Sequence, residues 1–403
     1  MKAAVAERGP GTAPPSPLMI PEYYSAELRL LLALLRSSLR TGDGRDVRAP
    51  VDAVNWGSVV ALARRHRVGS FLHHRLPAPE REALPREVRA ELSLSAERVM
   101  RRALQRAAEL ARIVQALEAD GIAVASVKGP VLALQLYGGL GERHAGDLDL
   151  VVAPADVERA DRLLRALGYE RTEPDFELSP RQHRAHLRFH RENKYRCASS
   201  GIRIELKWRL FGTEEGLGPE RAWQEVAGRR IATPAPAPNA LYLFGHGARH
   251  GWFRLFWLVD AALLLRGGSV DWDRVARDCG RMGARRALLQ GSALARDLLA
   301  VAPPAALAGG DGECRWVGRL ASLAKRRISG EVHSGEDPPE PMGYVMLLQD
   351  QWRERWSLLR SRFMYARNWR ILPLPDRWFA LHYAAAPALW LYRRVARTER
   401  PSP

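Results

Sequence analysis

Three acidic residues near the middle of the chain have a spacing that suits a metal site. Asp147 and Asp149 stand two apart in the apolar run DLDLVV, and Glu205 lies in IRIELKW. Because strand side chains alternate between faces, both aspartates should project from one face of a sheet. Neighbouring carboxylates repel unless a cation separates them, and magnesium prefers oxygen ligands. If the strands pair, Glu205 joins a site where two ions could bind an NTP.

Several nearby residues could contact phosphate. Lys128 and Gly129 end an apolar stretch and begin a predicted helix. A glycine lets a ligand approach the backbone, and a helix N-terminus favours an anion. Arg143 and His144 are candidate contacts for a triphosphate or an acceptor, with simple solvation as the alternative. Lys207 shares the predicted strand face of Glu205 and is a further candidate for phosphate.

The elements that must position these residues follow from hydrophobic periodicity. Apolar, β-branched runs bounded by turn residues predict strands over 122–127, 147–152, 194–198 and 202–208. Helical spacing predicts helices between the strands and one long helix, or two, over 88–119. The pattern predicts an α+β fold in which a small mixed sheet is embedded in N- and C-terminal helical segments.

Composition shifts divide the chain further. We predict a disordered N-terminus over 1–20, an N-terminal helical domain over 21–109, a core over 110–232, a helical domain over 239–330 and a C-terminal helical region over 343–397. The Pro-rich stretch 233–239 and the Gly- and Pro-rich stretch 331–342 are predicted linkers.

The charge balance limits the choice of partners. Lys and Arg number 62 against 45 Asp and Glu, a net charge of +17, which favours acidic partners such as nucleotides, nucleic acid or anionic lipid. The arginines are scattered along helices, so a solvated Arg-rich surface is the simpler interpretation. The three cysteines are far apart, which indicates neither a disulfide framework nor a zinc site. No run approaches the roughly 18 apolar residues of a membrane span, so we expect a cytoplasmic protein.

Several segments resemble the uncharacterised bacterial nucleotidyltransferase family of the polymerase-β superfamily. They are VKGPVLALQLYGGLGERHAGDLDLVV, IELKW, HGARHGWFRLFWLVD and NWRILPLPDRWFALHY. The resemblance implies a polymerase-β-like core that transfers an NMP from an NTP, with ATP as the expected donor, using two Mg²⁺ ions or Mn²⁺. It implies that Asp147 and Asp149 are metal ligands and that Glu205 is a third ligand or the base. It also implies that Gly129 lies beneath the triphosphate.

Two departures from the family pattern support an alternative function. Pro130 follows Gly129 where the superfamily usually has Ser or Gly, and a proline offers no N–H to phosphate, so Lys128 would have to compensate. Lys207 stands where the family often has His. The alternative is a catalytically inactive nucleotide-binding or scaffold protein of the same fold. The acceptor stays open among small molecules, peptides and proteins, while nucleic acid is not favoured.

Two further patterns have competing interpretations. His246 and His250 lie four apart on a predicted helix, where they could bind a metal, contact a substrate, or pack or hydrogen-bond against the catalytic domain. No third metal ligand is evident nearby. Residues 378–395 mix Trp, Tyr and Leu with Arg. Such a segment fits peripheral contact with a membrane surface or a helix packed on its own protein. Pro387 interrupts the run, which favours packing.

Overall fold

The first part of the fold is helical. The computed structural model describes residues 20–40, 54–211, 214–215, 220–307, 314–330 and 342–398. Its first helices are Ala26–Leu39 (α1), Trp56–Arg65 (α2), Gly69–Arg75 (α3), Ala78–Glu82 (α4) and Arg86–Ala119 (α5). The long helix predicted over 88–119 is confirmed as α5, which buries Leu110, Ile113 and Leu117 in the core beneath the sheet. The segments predicted as a disordered N-terminus and as a linker over 331–342 lie, except at Ile20 and Met342, outside the described residues.

A five-stranded mixed sheet follows α5. Its elements are Ala125–Ser126 (β1), Gly129–Tyr137 (α6), Leu148–Val151 (β2), Val157–Ala166 (α7), Tyr169–Glu173 (β3), Pro180–Phe189 (α8), Glu192–Cys197 (β4) and Arg203–Lys207 (β5). The strand order is β1-β2-β5-β4-β3, in which β2 and β5 run parallel and the other neighbours are antiparallel. The predicted α+β class with a small mixed sheet among helices is therefore confirmed.

The two faces of this sheet differ in polarity. One face buries Leu148, Leu150, Ile204 and Leu206 in a core that also contains residues of α5 and α7. Each of these side chains contributes roughly 1.5–3 kcal/mol by leaving water. Because side chains alternate along a strand, the acidic residues of β2 and β5 must lie on the opposite face. Because the apolar face is buried in the core, only the opposite, acidic face of the sheet can carry an active site.

Two hairpins follow the sheet. They consist of Arg209–Phe211 (β6) with Glu214–Glu215 (β7), and Arg221–Val226 (β8) with Arg229–Pro234 (β9). The second hairpin packs against β1 and α6, on the edge of the sheet next to the predicted phosphate loop.

The remainder of the described chain is helical. The helices are Pro236–Arg249 (α9), Leu255–Arg266 (α10), Trp272–Arg281 (α11), Arg285–Leu299 (α12), Cys314–Ser329 (α13), Met342–Leu348 (α14), Trp352–Phe363 (α15), Arg367–Ile371 (α16) and Leu381–Thr398 (α17). None of the helices in the described part of the chain has the length and apolar character needed to cross a membrane. The aromatic segment α17 packs against α15 and α16 but leaves Leu381 and Leu391 half exposed. Its contact with a membrane surface stays a prediction.

Three differences from the predicted elements have local causes. The strand predicted over 122–127 is only the two residues of β1, the part that pairs with β2. The stretch 233–239 is not a linker, because it ends β9 and begins α9, where Pro236 occupies the first helical turn. The strand β3 was not predicted, because Tyr169 is the only buried residue in YERTE.

Candidate active site

Asp149 and Glu205 meet on the polar face of the sheet. They are direct partners in the parallel pairing of β2 with β5. The apolar neighbours of both residues point into the core, so the two carboxylates project together. Asp149 is almost fully enclosed, with 3% of its side chain exposed, whereas Glu205 keeps 23%. The structure therefore brings together two of the three predicted carboxylates.

Two lysines neutralise part of this negative charge. Lys128 Nζ lies 3.1 Å from Asp149 Oδ1. Lys207 Nζ donates to Glu205 Oε2 at 2.7 Å and lies 3.4 Å from Asp149 Oδ1. Lys207 also donates to Glu192, its partner residue on β4. Lys207 thus bridges three carboxylates, a position that holds the acidic groups close together.

The electrostatics of the two carboxylates differ. Burial raises the pKa of Asp149 to about 6, against the opposing charges of Lys128 and Lys207 and with a further increase from Glu205. Burial also acts on Glu205, but Lys207 and Lys128 outweigh it and hold the pKa of Glu205 well below its usual value. Neighbouring acids with opposite pKa shifts are frequent at functional sites. The shifts therefore support a functional interpretation of this pair.

Asp147, the third predicted carboxylate, forms an ion pair with an arginine. It precedes β2, and Arg203 Nε donates to its Oδ1 at 2.6 Å. Both side chains are more accessible than Asp149, with 27% of Asp147 and 62% of Arg203 exposed. An exposed ion pair of this kind contributes little stability, about 0–1 kcal/mol, so exchanging Arg203 for another cation costs little.

The carboxylates could hold a cation only after their basic partners Lys128, Lys207 and Arg203 have moved. Asp149 Oδ1 is buried and no donor is aligned with it for a hydrogen bond. A divalent ion between Asp149 and Glu205 would have to displace Lys207 Nζ, which lies 3.4 Å from Asp149 Oδ1 and 2.7 Å from Glu205 Oε2, and would then bind both carboxylates. Asp147 could join only by leaving Arg203. Within the described ranges, no three His, Cys, Asp or Glu side chains are arranged to hold a metal ion.

The loop beside Asp149 starts the helix α6. Lys128 precedes its first residue, and Gly129 has a φ of +61°, which favours glycine. Pro130 occupies the first turn of α6, where its missing N–H breaks no helical hydrogen bond. The start of α6 lies next to β2, since a Cβ added at Gly129 would be 3.5 Å from the Asp147 carbonyl oxygen. Phosphate binding at this helix N-terminus stays a prediction.

Comparison with known protein families shows the family of this chain. The model of a family described as uncharacterised nucleotidyltransferase matches residues 52–300, more than half of the chain. The chain belongs to this nucleotidyltransferase family. No curated protein and no solved structure matches it. The matched range contains the sheet, α6 and the helices that cover them, and membership supports a general role in nucleotidyl transfer.

Two predicted contacts of this nucleotidyltransferase lie in its interior. Arg143 forms a two-pronged ion pair with Asp260 on α10, at 2.9 and 2.8 Å, and Tyr137 donates to the same carboxylate at 2.6 Å. His144 is partly buried, and this burial lowers its pKa to about 3. The structure thus places Arg143 in the packing between the core and α10 rather than among the acidic residues.

His246 on α9 and His250, the C-cap residue of this helix, pack against aromatic rings. The rings of His246 and His250 lie 4.6 Å apart, and His250 stacks on Trp257 at 5.1 Å. Burial lowers the pKa of both, to about 3 for His250, so both imidazoles are neutral at physiological pH. The packing supports the predicted contact with the core more than a separate metal site.

Two residues of the site were missed in the sequence. Glu192 contacts Lys207, and the ring of Tyr242 on α9 lies 5.7 Å from Lys128 Nζ. Pairing the two strands residue by residue outward from the hairpin turn at 199–201 would have placed Glu192 opposite Lys207. Tyr242 had no such signal, because it reaches the site through helix packing far along the chain.

Proposed function

We propose that this chain is a metal-dependent nucleotidyltransferase. It moves an NMP from an NTP, with ATP as the expected donor, to a hydroxyl or similar nucleophile on a small molecule, peptide or protein. The observation that carries the proposal is the pairing of Asp149 with Glu205 on adjacent strands beside the N-terminal end of α6. Family membership supports the reaction class.

Each group has a defined task in this proposal. Asp149 and Glu205 would hold Mg²⁺ or Mn²⁺, with Asp147 as the ligand for a second ion once it leaves Arg203. The bound ion would neutralise charge on the phosphoryl oxygens. Lys128 and Lys207 contact triphosphate oxygens, and Gly129 allows their close approach. Arg143 and His144, proposed from the sequence as further contacts, act only indirectly by fixing the loop before β2.

The reaction is an in-line displacement at the α-phosphorus. The acceptor oxygen forms a bond to the α-phosphorus while the bond from that phosphorus to the bridging oxygen breaks. Diphosphate leaves with the electron pair, and the hydroxyl proton passes to solvent. The contribution of the protein is to position the donor and to compensate charge, which is how enzymes of this chemistry gain most of their rate.

A scaffold function is the second candidate. Each of the three carboxylates already has a basic partner: Arg203 for Asp147, Lys128 for Asp149 and Lys207 for Glu205. A protein that only binds nucleotide could keep such an arrangement permanently. The enzyme would form a transfer product, whereas the scaffold would bind nucleotide without forming product.

The test is transfer from NTPs labelled at the α-phosphorus. We expect labelled product when the full chain is incubated with NTP, Mg²⁺ and a cell extract, and no product when EDTA removes the metal. Glu170→Gln, an exposed carboxylate on the same sheet, is the matched control and should behave as wild type. Nucleotide binding without product in any extract would favour the scaffold, and product that persists in EDTA would refute metal dependence.

A further inference from the structure

A basic cleft lies beside the proposed active site. It has a volume of about 130 Å³ and is enclosed by the segment joining α8 to β4, by α9, by the start of α12 and by α14 and α15. Its charged lining consists of the arginines Arg188, Arg191, Arg209 and Arg249 and the single acid Glu354. The excess of guanidinium groups gives this enclosed space a positive potential.

The histidines of the cleft do not add to its charge. Burial lowers the pKa of His190 and of His246, so both line the cleft as neutral rings. The only lining carboxylate, Glu354, has a pKa raised by burial, although the charge of Arg191 opposes the increase. The positive character of the cleft therefore comes from guanidinium groups, which stay charged at all physiological pH values.

The cleft is next to the carboxylate pair. Tyr242 lines it, and the ring of this tyrosine lies 5.7 Å from Lys128 Nζ, which in turn lies 3.1 Å from Asp149. On the strand side, Arg191 directly precedes Glu192, whose carboxylate contacts Lys207. The cleft is thus connected to the carboxylate pair through Tyr242 and Lys128 on one side and through Glu192 and Lys207 on the other.

The lining is mixed in character. Leu210, Met282, Val345 and Leu348 provide an apolar wall, and Ser357 and Ser361 provide hydroxyls. Binding sites for small molecules combine such apolar walls with a few polar groups that fix orientation. Guanidinium groups recognise phosphate and carboxylate through paired hydrogen bonds.

We propose that this cleft binds the acceptor and selects one that carries a phosphate or carboxylate group. This proposal rests on the proposed function, because it assigns the second substrate of the same reaction. The arginines hold the anionic end of the acceptor, and its nucleophilic oxygen extends past Tyr242 toward the α-phosphorus. The phosphates of the donor nucleotide are bound separately, by Lys128, Lys207 and the N-terminal end of α6.

Arginine footprinting on the full chain tests the proposal without requiring turnover. Phenylglyoxal modification is followed by mass spectrometry with inorganic phosphate as the probe, and with chloride at equal ionic strength as the reference. We expect phosphate to slow modification of Arg188, Arg191 and Arg249 severalfold. Arg184, an exposed residue of α8 that does not line the cleft, is the internal control and should react at an unchanged rate.

Two further arms separate the possible outcomes. When saturating α,β-methylene-ATP and Mg²⁺ are present, phosphate should still protect the cleft arginines. If phosphate no longer adds protection under these conditions, the arginines bind the nucleotide and not the acceptor. Asp149→Asn/Glu205→Gln should also retain the protection, because neither residue lines the cleft. If the wild-type chain forms no transfer product while phosphate still protects its cleft arginines, the proposed function alone is refuted. Equal modification rates with phosphate and chloride at all three cleft arginines would overturn the proposal of an acceptor site.

Discussion

Asp149→Asn is expected to reduce nucleotidyl transfer by about a thousandfold. The substitution keeps the size of the side chain but removes the charge that would hold a divalent ion next to Glu205. A bound metal supplies several kcal/mol of stabilisation to a phosphoryl transition state, and each 1.4 kcal/mol changes the rate about tenfold. The measurement is the initial rate of labelled product formation at saturating NTP and Mg²⁺.

Matched variants show whether the effect is specific. Glu205→Gln should lose a comparable factor, because it removes the other half of the pair, whereas Glu170→Gln should keep the wild-type rate. Circular dichroism and the thermal midpoint establish that Asp149→Asn is folded, since the substitution leaves Lys128 without its close ion-pair partner. A folded Asp149→Asn variant that transfers at the wild-type rate is incompatible with the proposed site.

Asp260→Ala is expected to destabilise the fold by about 3–5 kcal/mol. The carboxylate accepts from Arg143 and from Tyr137, and only 2% of Asp260 and 3% of Arg143 side-chain surface is exposed. Its removal leaves a guanidinium charge enclosed without its partner, which costs far more than the loss of an exposed ion pair. The measurement is urea unfolding followed by far-ultraviolet circular dichroism.

The double variant Arg143→Met/Asp260→Leu separates the cost of a buried, unpaired charge from the loss of the ion pair itself. Replacing both charges by apolar groups removes the unpaired charge, and such replacements in other proteins are often close to neutral. We therefore expect the double variant to recover most of the stability lost in Asp260→Ala. If Asp260→Ala unfolds at the wild-type urea concentration, the ion pair does not contribute as the structure indicates.

The sequence predicted the strand faces of the candidate site better than the pairing of its residues. Alternation along the strands placed the acidic residues opposite the leucines, and Lys207 on the same face as Glu205, because these are local properties of a strand. The register that sets Asp149 beside Glu205 could not be predicted, because it depends on pairing between segments far apart in the chain.

Arg143 illustrates what local reasoning misses. Its position just before the two aspartates favoured a contact with phosphate, yet its partner Asp260 lies 117 residues further along the chain. Likewise, Arg203 pairs with Asp147 because strand register sets them side by side. Both pairings arise from tertiary packing, so no spacing in the sequence could signal them.

Titration with Mn²⁺, followed by electron paramagnetic resonance in the presence of α,β-methylene-ATP, tests the shared metal site most directly. Mn²⁺ takes the same oxygen ligands as Mg²⁺. We expect the wild-type chain and Glu170→Gln to bind Mn²⁺ tightly with the nucleotide analogue, and Asp149→Asn/Glu205→Gln to lose this protein-bound signal. Mn²⁺ binding of equal affinity in the folded double variant would contradict the assignment of Asp149 and Glu205 as ligands.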